Sequence, residues 1–207
     1  MRHIDHIVYS VLDFEKAIFD IERQSGVKPV IGGKHQLWGT KNALLHLGGE
    51  CYLEILAKDE DNLEFTGEMW MGIDLISKPQ ITRWALKSND VQNDSKILSQ
   101  VDDHLGQISG GQRKTSSGDI LSWKMILPLS HSEVDIIPFM TDWSESAYHP
   151  SVHLEEGCQL LSLTLYHPMP SKIQNILSDL GDNHEVIQAK EPVIKISIQG
   201  KKGIFEL

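Results

Sequence analysis

The hydrophobic and polar positions near the start of the chain follow two different periods. Residues 4–11 (IDHIVYSV) alternate polar and apolar side chains, which predicts a strand with one covered face. Apolar residues then recur at helical spacing between Asp13, a residue type that caps helix N-termini, and Gly26, which suits a helix C-terminus. Three further strands complete a unit of order βαβββ: VKPVI, NALLHL and CYLEILA.

The same order returns twice along the chain. The second pass begins at residues 81–88 (ITRWALKS), and after a helix come QISGGQRKT, DILSWKMIL and VDIIPFM, with a turn over residues 128–133. The third pass begins at residues 160–166 (LLSLTLY), and after a helix come EVIQA, VIKISI and GIFEL. Residues 141–157 lie between them and are polar, rich in turn formers and without a period, as is typical of a linker.

This repetition predicts an α+β fold of repeated βαβββ modules. Modules 1–60 and 80–143 make one domain of residues 1–143, residues 144–157 form the linker, and residues 158–207 form a third βαβββ-like module.

Composition and charge narrow the functional classes. Hydrophobic residues make up 40% of the chain and charged residues 23%, as in ordinary soluble proteins. Since no apolar run could span a membrane and no signal peptide is evident, we expect a cytoplasmic protein without membrane association. The two cysteines, Cys51 and Cys158, fit neither a zinc site nor a disulfide scaffold. A net charge of −10 disfavours nucleic acid as a partner, so a small-molecule ligand is expected.

Several segments carry a resemblance to a known family. The βαβββ order, the opening DHIVYSV and the strand YLEIL resemble the vicinal oxygen chelate superfamily, which includes glyoxalases, bleomycin-resistance proteins and dioxygenases. More narrowly, GGKHQLWGTKNALL (32–45), RWAL (83–86) and IPFMTDW (137–143) resemble its glyoxalase-like domain group. The resemblance implies that the first two modules form a cup-shaped sheet around a ligand. It implies no single reaction, because members include isomerases, lyases, dioxygenases and non-catalytic drug-binding proteins.

The resemblance also implies a candidate half-site for a divalent metal. His6 and Glu54 match the ligand positions of metal-dependent relatives, and Zn, Ni, Mn or Fe would suit an imidazole and a carboxylate. Strand alternation supports the pair independently: if Ile7 and Leu53 pack on the helix, His6 and Glu54 point to the other face. In module two, however, Arg83 stands at the His6 position, and a second His/Glu half is absent.

Two interpretations of these residues remain open. In one, His6 and Glu54 bind a metal with help from His35, Glu206 or water, while Arg83 holds an anionic group of the substrate. In the other, no metal binds, Arg83 pairs with Glu54 or with a ligand anion, and His6 acts as a donor or general base. We prefer the second, since a guanidinium at a ligand position disfavours a nearby cation. The cofactor prediction is therefore none or one divalent metal ion.

Two further polar residues are candidates for substrate binding beside Arg83. His35 lies in a glycine-rich loop from which it could reach over the cup; alternatively, it is solvated on a turn. Asn42 begins a strand and could contact a ligand, or it serves turn chemistry.

Other conspicuous side chains are expected to be structural. Large aromatic residues carry much of any core, so we expect Trp70, Trp123 and Trp143 to pack. His149 and His167 each precede a proline at a loop and are expected to have structural roles.

The leading hypothesis is a glyoxalase-like protein that binds a small organic anion in its cup. His6 and Glu54 would be the catalytic residues of a lyase, an isomerase or a dioxygenase-related enzyme. The alternative is a non-catalytic protein that sequesters drug-like molecules. Because a cup needs two modules, the third module packs outside, extends the sheet, or pairs with its copy in a homodimer.

Overall fold

The computed structural model describes residues 2–114, 118–128 and 132–207. The α-helices of these ranges are Phe14–Ser25 (α1), Val91–Val101 (α2) and Pro170–Asp179 (α3). Their strands are Ile4–Ser10 (β1), Val30–His35 (β2), Thr40–His46 (β3), Tyr52–Lys58 (β4), Gln80–Lys87 (β5), Ile108–Lys114 (β6), Ile120–Ile126 (β7), Phe139–Asp142 (β8), Gln159–His167 (β9), Val186–Gln188 (β10), Val193–Gly200 (β11) and Gly203–Glu206 (β12). Within these ranges, no helix has the length and apolar character that crossing a membrane requires.

Module one forms as its sequence pattern predicts. The Asp13 carboxylate accepts a hydrogen bond from the backbone N–H of Lys16 and so caps α1. The helix ends at Gly26, whose φ of 76° lies in the left-handed region that favours glycine. Its apolar stripe is buried against the sheet, and β2, β3 and β4 follow.

Module two repeats this order with one shifted strand. Asp90 caps α2 by accepting from the N–H of Asn93. The last strand was expected over VDIIPFM, but β8 begins only at Phe139. Before it, the Ile136 carbonyl accepts from the Trp84 indole at 2.7 Å. The proline at position 138 has no N–H to donate to a sheet, so the regular ladder starts only after it. Of the predicted turn over 128–133, residues 129–131 lie outside the described part, as does residue 115 of the predicted strand QISGGQRKT.

The strands of modules one and two join in a curled sheet. Following the pairings gives the order β2-β3-β4-β1-β5-β8-β7-β6, with β1 parallel to β4 and antiparallel to β5. The two outer strands approach each other, because a Cβ placed on Gly33 of β2 would lie 3.1 Å from the Arg113 guanidinium of β6. This is the cup that the family resemblance implies.

Module three extends the same sheet. Its strand β11 pairs with β9 and β12 and reaches β5 through the Ile194–Ile81 pairing. The helix-facing sides of all three modules share one apolar core, to which module three contributes Leu165, Leu177 and Ile196. A smaller cluster forms on the other face of the sheet, inside the cup: Val8, Leu56, Met71, Ala85 and Phe139. The described elements confirm the predicted α+β fold of repeated βαβββ modules.

Candidate functional site

The cup encloses a cavity of about 450 Å³, the size of a small-molecule site. Its polar wall comes from β1, β3 and β4 of module one, and its opposite wall comes from β6 and β7 of module two. Four half-buried tryptophans also line it: Trp38, Trp70, Trp123 and Trp143. Three of these were expected only to pack. They do pack in pairs, Trp38 with Trp70 and Trp123 with Trp143, but they also face the cavity.

His6 and Glu54 meet on the polar wall. Both side chains are buried, and His6 Nε2 lies 3.7 Å from Glu54 Oε2. The parallel pairing of β1 with β4 brings them together, since His6 is opposite Tyr52 and Glu54 is two positions further along β4. The imidazole stacks on the Tyr52 ring at 4.7 Å between centroids and meets the edge of Phe139 at 5.1 Å. The packing therefore holds the plane of the His6 ring.

Asn42 and His35 extend this wall. Asn42 Nδ2 donates to Glu54 Oε1 at 2.6 Å, and its Oδ1 accepts from the Gly33 N–H at 2.8 Å. The same amide nitrogen lies 3.4 Å from His35 Nε2, so this ring nitrogen accepts while Nδ1 faces the Thr40 hydroxyl at 2.9 Å. Burial lowers the pKa of His35, against the opposing charge of Glu54, so the ring is neutral near pH 7.

Asp5 lies behind His6 and was not among the residues proposed from the sequence. It is fully buried; Oδ1 lies 2.6 Å from His6 Nδ1, and Oδ2 accepts from the Trp143 indole at 3.0 Å and from His149 Nε2 at 3.2 Å. Burial by itself raises the pKa of Asp5, but the hydrogen bonds and charges of His149 and His6 hold it well below its ordinary value. Asp5 is therefore an ionised acceptor.

The sequence gives no simple signal for the placement of Asp5. Strict alternation puts Asp5 on the same face as Ile7, towards the helix. The pairing of β1 with β5 shifts register between Ile4 and His6, which is a β-bulge at Asp5. Bulges redirect side chains, and this one turns the carboxylate towards His6.

Arg83 is placed apart from these residues. It is fully buried and does not line the cavity. Its guanidinium donates to the carbonyls of Thr82 at 2.8 Å, Ser132 at 2.7 Å and Glu133 at 3.2 Å. Burial lowers the pKa of Arg83 to about 10, partly offset by Asp135. The structure thus brings His6, Glu54, Asn42 and His35 together without Arg83.

Arg113 of β6 is a cavity-lining cation that the sequence analysis missed. After burial, which lowers the pKa of His35 and raises the pKa of Tyr52, the positive charge of Arg113 contributes by lowering both. Lys34, another lining cation, pairs with Asp59 and Asp61. No ion pair among the described residues includes Arg113. The sequence pattern predicts only a strand, QISGGQRKT, for the segment that contains Arg113.

The donor set does not fit a resident divalent metal. In the part of the chain that the structure describes, no three His, Cys, Asp or Glu residues are grouped so that they could hold an ion. His6 Nε2 and Glu54 Oε2 are two donors, whereas catalytic zinc sites take three protein ligands. Glu206, considered as a further ligand, is exposed on β12.

Comparisons with known proteins identify the family of this chain and solved structures that it resembles. A family model described as a glyoxalase-like domain matches residues 4–181. The chain is similar to a crystal structure of a hypothetical protein from Staphylococcus aureus, with a TM-score of 0.67, 16% identity, and coverage of 98% of this chain and 97% of that one. It is similar to methylmalonyl-CoA epimerase from Mycobacterium tuberculosis with a TM-score of 0.40, 18% identity, and coverage of 67% and 85%. It is also similar to a Streptomyces coelicolor methylmalonyl-CoA epimerase variant, with a TM-score of 0.45, 15% identity, and coverage of 70% of this chain and 99% of that one. No curated protein matches the chain.

Proposed function

Because the chain belongs to the glyoxalase-like domain family, we propose that it binds a small organic anion in the cup and transfers a proton on it. The observation that carries the proposal is the pair of His6 Nε2 and Glu54 Oε2, 3.7 Å apart on one wall of the cavity that Arg113 also lines. A carboxylate beside an imidazole is an acid–base pair, and a guanidinium is the side chain best suited to an organic anion.

The hydrogen bonds of Glu54 support a role as the base. Its Oε1 accepts from the Asn42 amide at 2.6 Å, its Oε2 lies 3.7 Å from His6 Nε2, and Glu54 lines the cavity. Glu54 takes a proton from a carbon next to a carbonyl group, and the C–H electron pair moves to the carbonyl oxygen as an enolate. Glu54 then returns a proton to the enolate, and delivery to a different face or atom from the one that lost the proton gives an isomer. Arg113 stabilises the negative charge, and no step uses a metal.

The tryptophans favour a ligand with a planar or apolar body. They supply broad apolar surface, while His6, Glu54, Asn42 and Arg113 supply a few convergent polar groups. A small aryl or branched carboxylate matches both features.

Binding is tested by tryptophan fluorescence with acids and their neutral amides. Benzoate is paired with benzamide, and phenylacetate with phenylacetamide, so each pair differs mainly in charge. We expect saturable quenching by at least one acid. The variant Arg113→Met should weaken acid binding at least about tenfold, the worth of one charged hydrogen bond, and change amide binding little. The matched control is Arg23→Met, an exposed arginine on α1 outside the cavity. Equal loss for acid and amide, or no binding of any acid, contradicts the proposal.

Chemistry is tested by proton exchange in D₂O, followed by proton NMR with phenylpyruvate and other 2-oxo acids. We expect the wild type to exchange the carbon-bound proton next to the carbonyl faster than buffer. Glu54→Gln and His6→Gln should abolish the enhancement while acid binding persists. Exchange that survives in both variants refutes the assigned roles.

A non-catalytic binding protein is the second candidate, and the aromatic lining favours it. Such a protein would bind neutral aromatic molecules as tightly as acids. Binding of benzamide and benzoate with equal affinity, without exchange of any 2-oxo acid, would identify it.

A further inference from the structure

We infer that Asp5, together with His149 and Trp143, is a positioning unit that fixes the tautomer and the orientation of His6. The inference deepens the proposed function and rests on it only for the acid–base role of His6. The geometry is a buried chain of contacts that runs from His149 to Asp5 at 3.2 Å, and from Asp5 to His6 at 2.6 Å, on the side of the imidazole away from Glu54.

The proton positions in this chain follow from its donors. The Ser151 backbone N–H donates to His149 Nδ1 at 3.3 Å, so Nδ1 is an acceptor and Nε2 carries the proton. His149 Nε2 therefore donates to Asp5, as the Trp143 indole also does. With two donors on Oδ2, the carboxylate keeps Oδ1 for the His6 Nδ1–H.

This arrangement leaves His6 one nitrogen for chemistry. Since Nδ1 donates to Asp5, the nitrogen left is Nε2, which lies 3.7 Å from Glu54 Oε2, and both residues line the cavity. Stacking on Tyr52 and the edge contact with Phe139 fix the ring plane, but neither contact distinguishes one tautomer from the other. The Asp5 carboxylate makes that distinction.

The stability of the fold alone does not explain why a carboxylate is buried at position 5. A fully buried carboxylate costs several kcal/mol in desolvation unless it is fully hydrogen-bonded, and an apolar residue on β1 would avoid that cost. Here donors from three parts of the chain converge on Asp5: His6 of β1, Trp143 just after β8, and His149 before the short helical turn Pro150–His153. The segment that the sequence predicts as a linker therefore contributes to the candidate site.

The decisive measurement is nitrogen-15 NMR of histidine-labelled protein without any ligand. The His6 signal, assigned with His6→Gln, should show a protonated Nδ1 and an unprotonated Nε2. In Asp5→Asn, the amide can donate to Nδ1, so the tautomer with the proton on Nε2 should become dominant. An unchanged His6 tautomer in folded Asp5→Asn overturns the inference.

Two milder variants cover the possibility that Asp5→Asn does not fold. His149→Phe removes one donor, and the His6 signal should shift towards a mixture of tautomers, whereas His149→Gln keeps a donor and should restore the wild-type signal. The matched control is His153→Phe, an exposed histidine of the same turn, which should change nothing. Equal effects of His149→Phe and His149→Gln, or no effect of either, overturn the role of His149.

Kinetics separate this inference from the proposed function. In Asp5→Asn, the exchange rate of the 2-oxo acid should fall by about 10²–10⁴, as expected when the imidazole beside the base Glu54 carries its proton on the wrong nitrogen, while benzoate affinity changes less than about twofold. If the wild type shows no exchange, the proposed chemistry fails, but the tautomer result still decides the positioning role. Full exchange activity in an Asp5→Asn protein with an altered tautomer overturns it.

Discussion

Replacing Arg83 with methionine should destabilise the fold without changing which ligands bind. The side chain is fully buried beside β5, and its guanidinium donates to three backbone carbonyls, those of Thr82, Ser132 and Glu133. Methionine has a similar length and no donors, so Arg83→Met leaves these carbonyls without the guanidinium. The sequence pattern assigned Arg83 to an anion, but the structure assigns it to the loop before β8.

The expected magnitude follows from two opposing effects. Three hydrogen bonds from a charged donor contribute roughly 1.5–3 kcal/mol each. Burial disfavours the charged form of Arg83 and so lowers its pKa from 12.5 to about 10. That decrease corresponds to about 3 kcal/mol at about 1.36 kcal/mol per pKa unit. We therefore expect Arg83→Met to lower the free energy of unfolding by roughly 2–5 kcal/mol.

Urea unfolding followed by tryptophan fluorescence measures this loss, and benzoate and benzamide titrations of the folded variant measure selectivity. Arg113→Met is the comparison, because it should lose benzoate affinity and keep its stability. If Arg83→Met keeps wild-type stability and selectively loses benzoate, Arg83 is the anion anchor and our reasoning from the structure is wrong.

Three further predictions concern the backbone, the buried carboxylate and a thiol. Gly39→Ala should lower the free energy of unfolding in urea by more than Gly49→Ala. Both glycines have positive φ, but only a Cβ at position 39 would meet a neighbour, the Phe65 ring at 2.5 Å. Equal losses would contradict this clash. Asp5→Asn should destabilise by about 3–5 kcal/mol near pH 7. Since the folded pKa of Asp5 lies below its ordinary 3.8, that difference should persist down to about pH 4 and shrink only below it, which unfolding curves at several pH values would show. Burial raises the pKa of Cys51 to about 12. This thiol should therefore react with a disulfide reagent far more slowly in native than in urea-unfolded protein. Equal rates in the two states would refute its burial.

The parts of the fold that the sequence predicts are those that local periodicity encodes. Asp13 and Asp90 cap their helices, and Gly26 ends α1 in the left-handed region, because these choices depend on a few neighbouring residues. Alternation along β1 and β4 correctly places His6 and Glu54 on the cavity face, since a strand has only two faces.

The site residues that the sequence pattern does not predict are Asp5, His149 and Arg113. Their placement follows from a break in the strand alternation or from contacts between residues far apart in the sequence. Asp5 enters the site through a bulge, and alternation has no means of expressing a bulge. His149 contacts Asp5 from 144 positions away, in a segment without periodicity. Arg113 follows two glycines on an edge strand, where nothing local distinguishes a cavity cation from a solvated one.

The unequal halves of the cup explain why one His/Glu pair is present without a second. A metal held between two modules needs matching donors from both, and module two offers none at the corresponding positions. A proton-transfer site has no such symmetry requirement, because base, anion anchor and apolar wall are different chemical parts. Module one supplies His6 and Glu54, and module two supplies Arg113 and two of the tryptophan side chains. The segment leading to module three then holds His6 from behind through His149 and Asp5, which a symmetric two-module cup would lack.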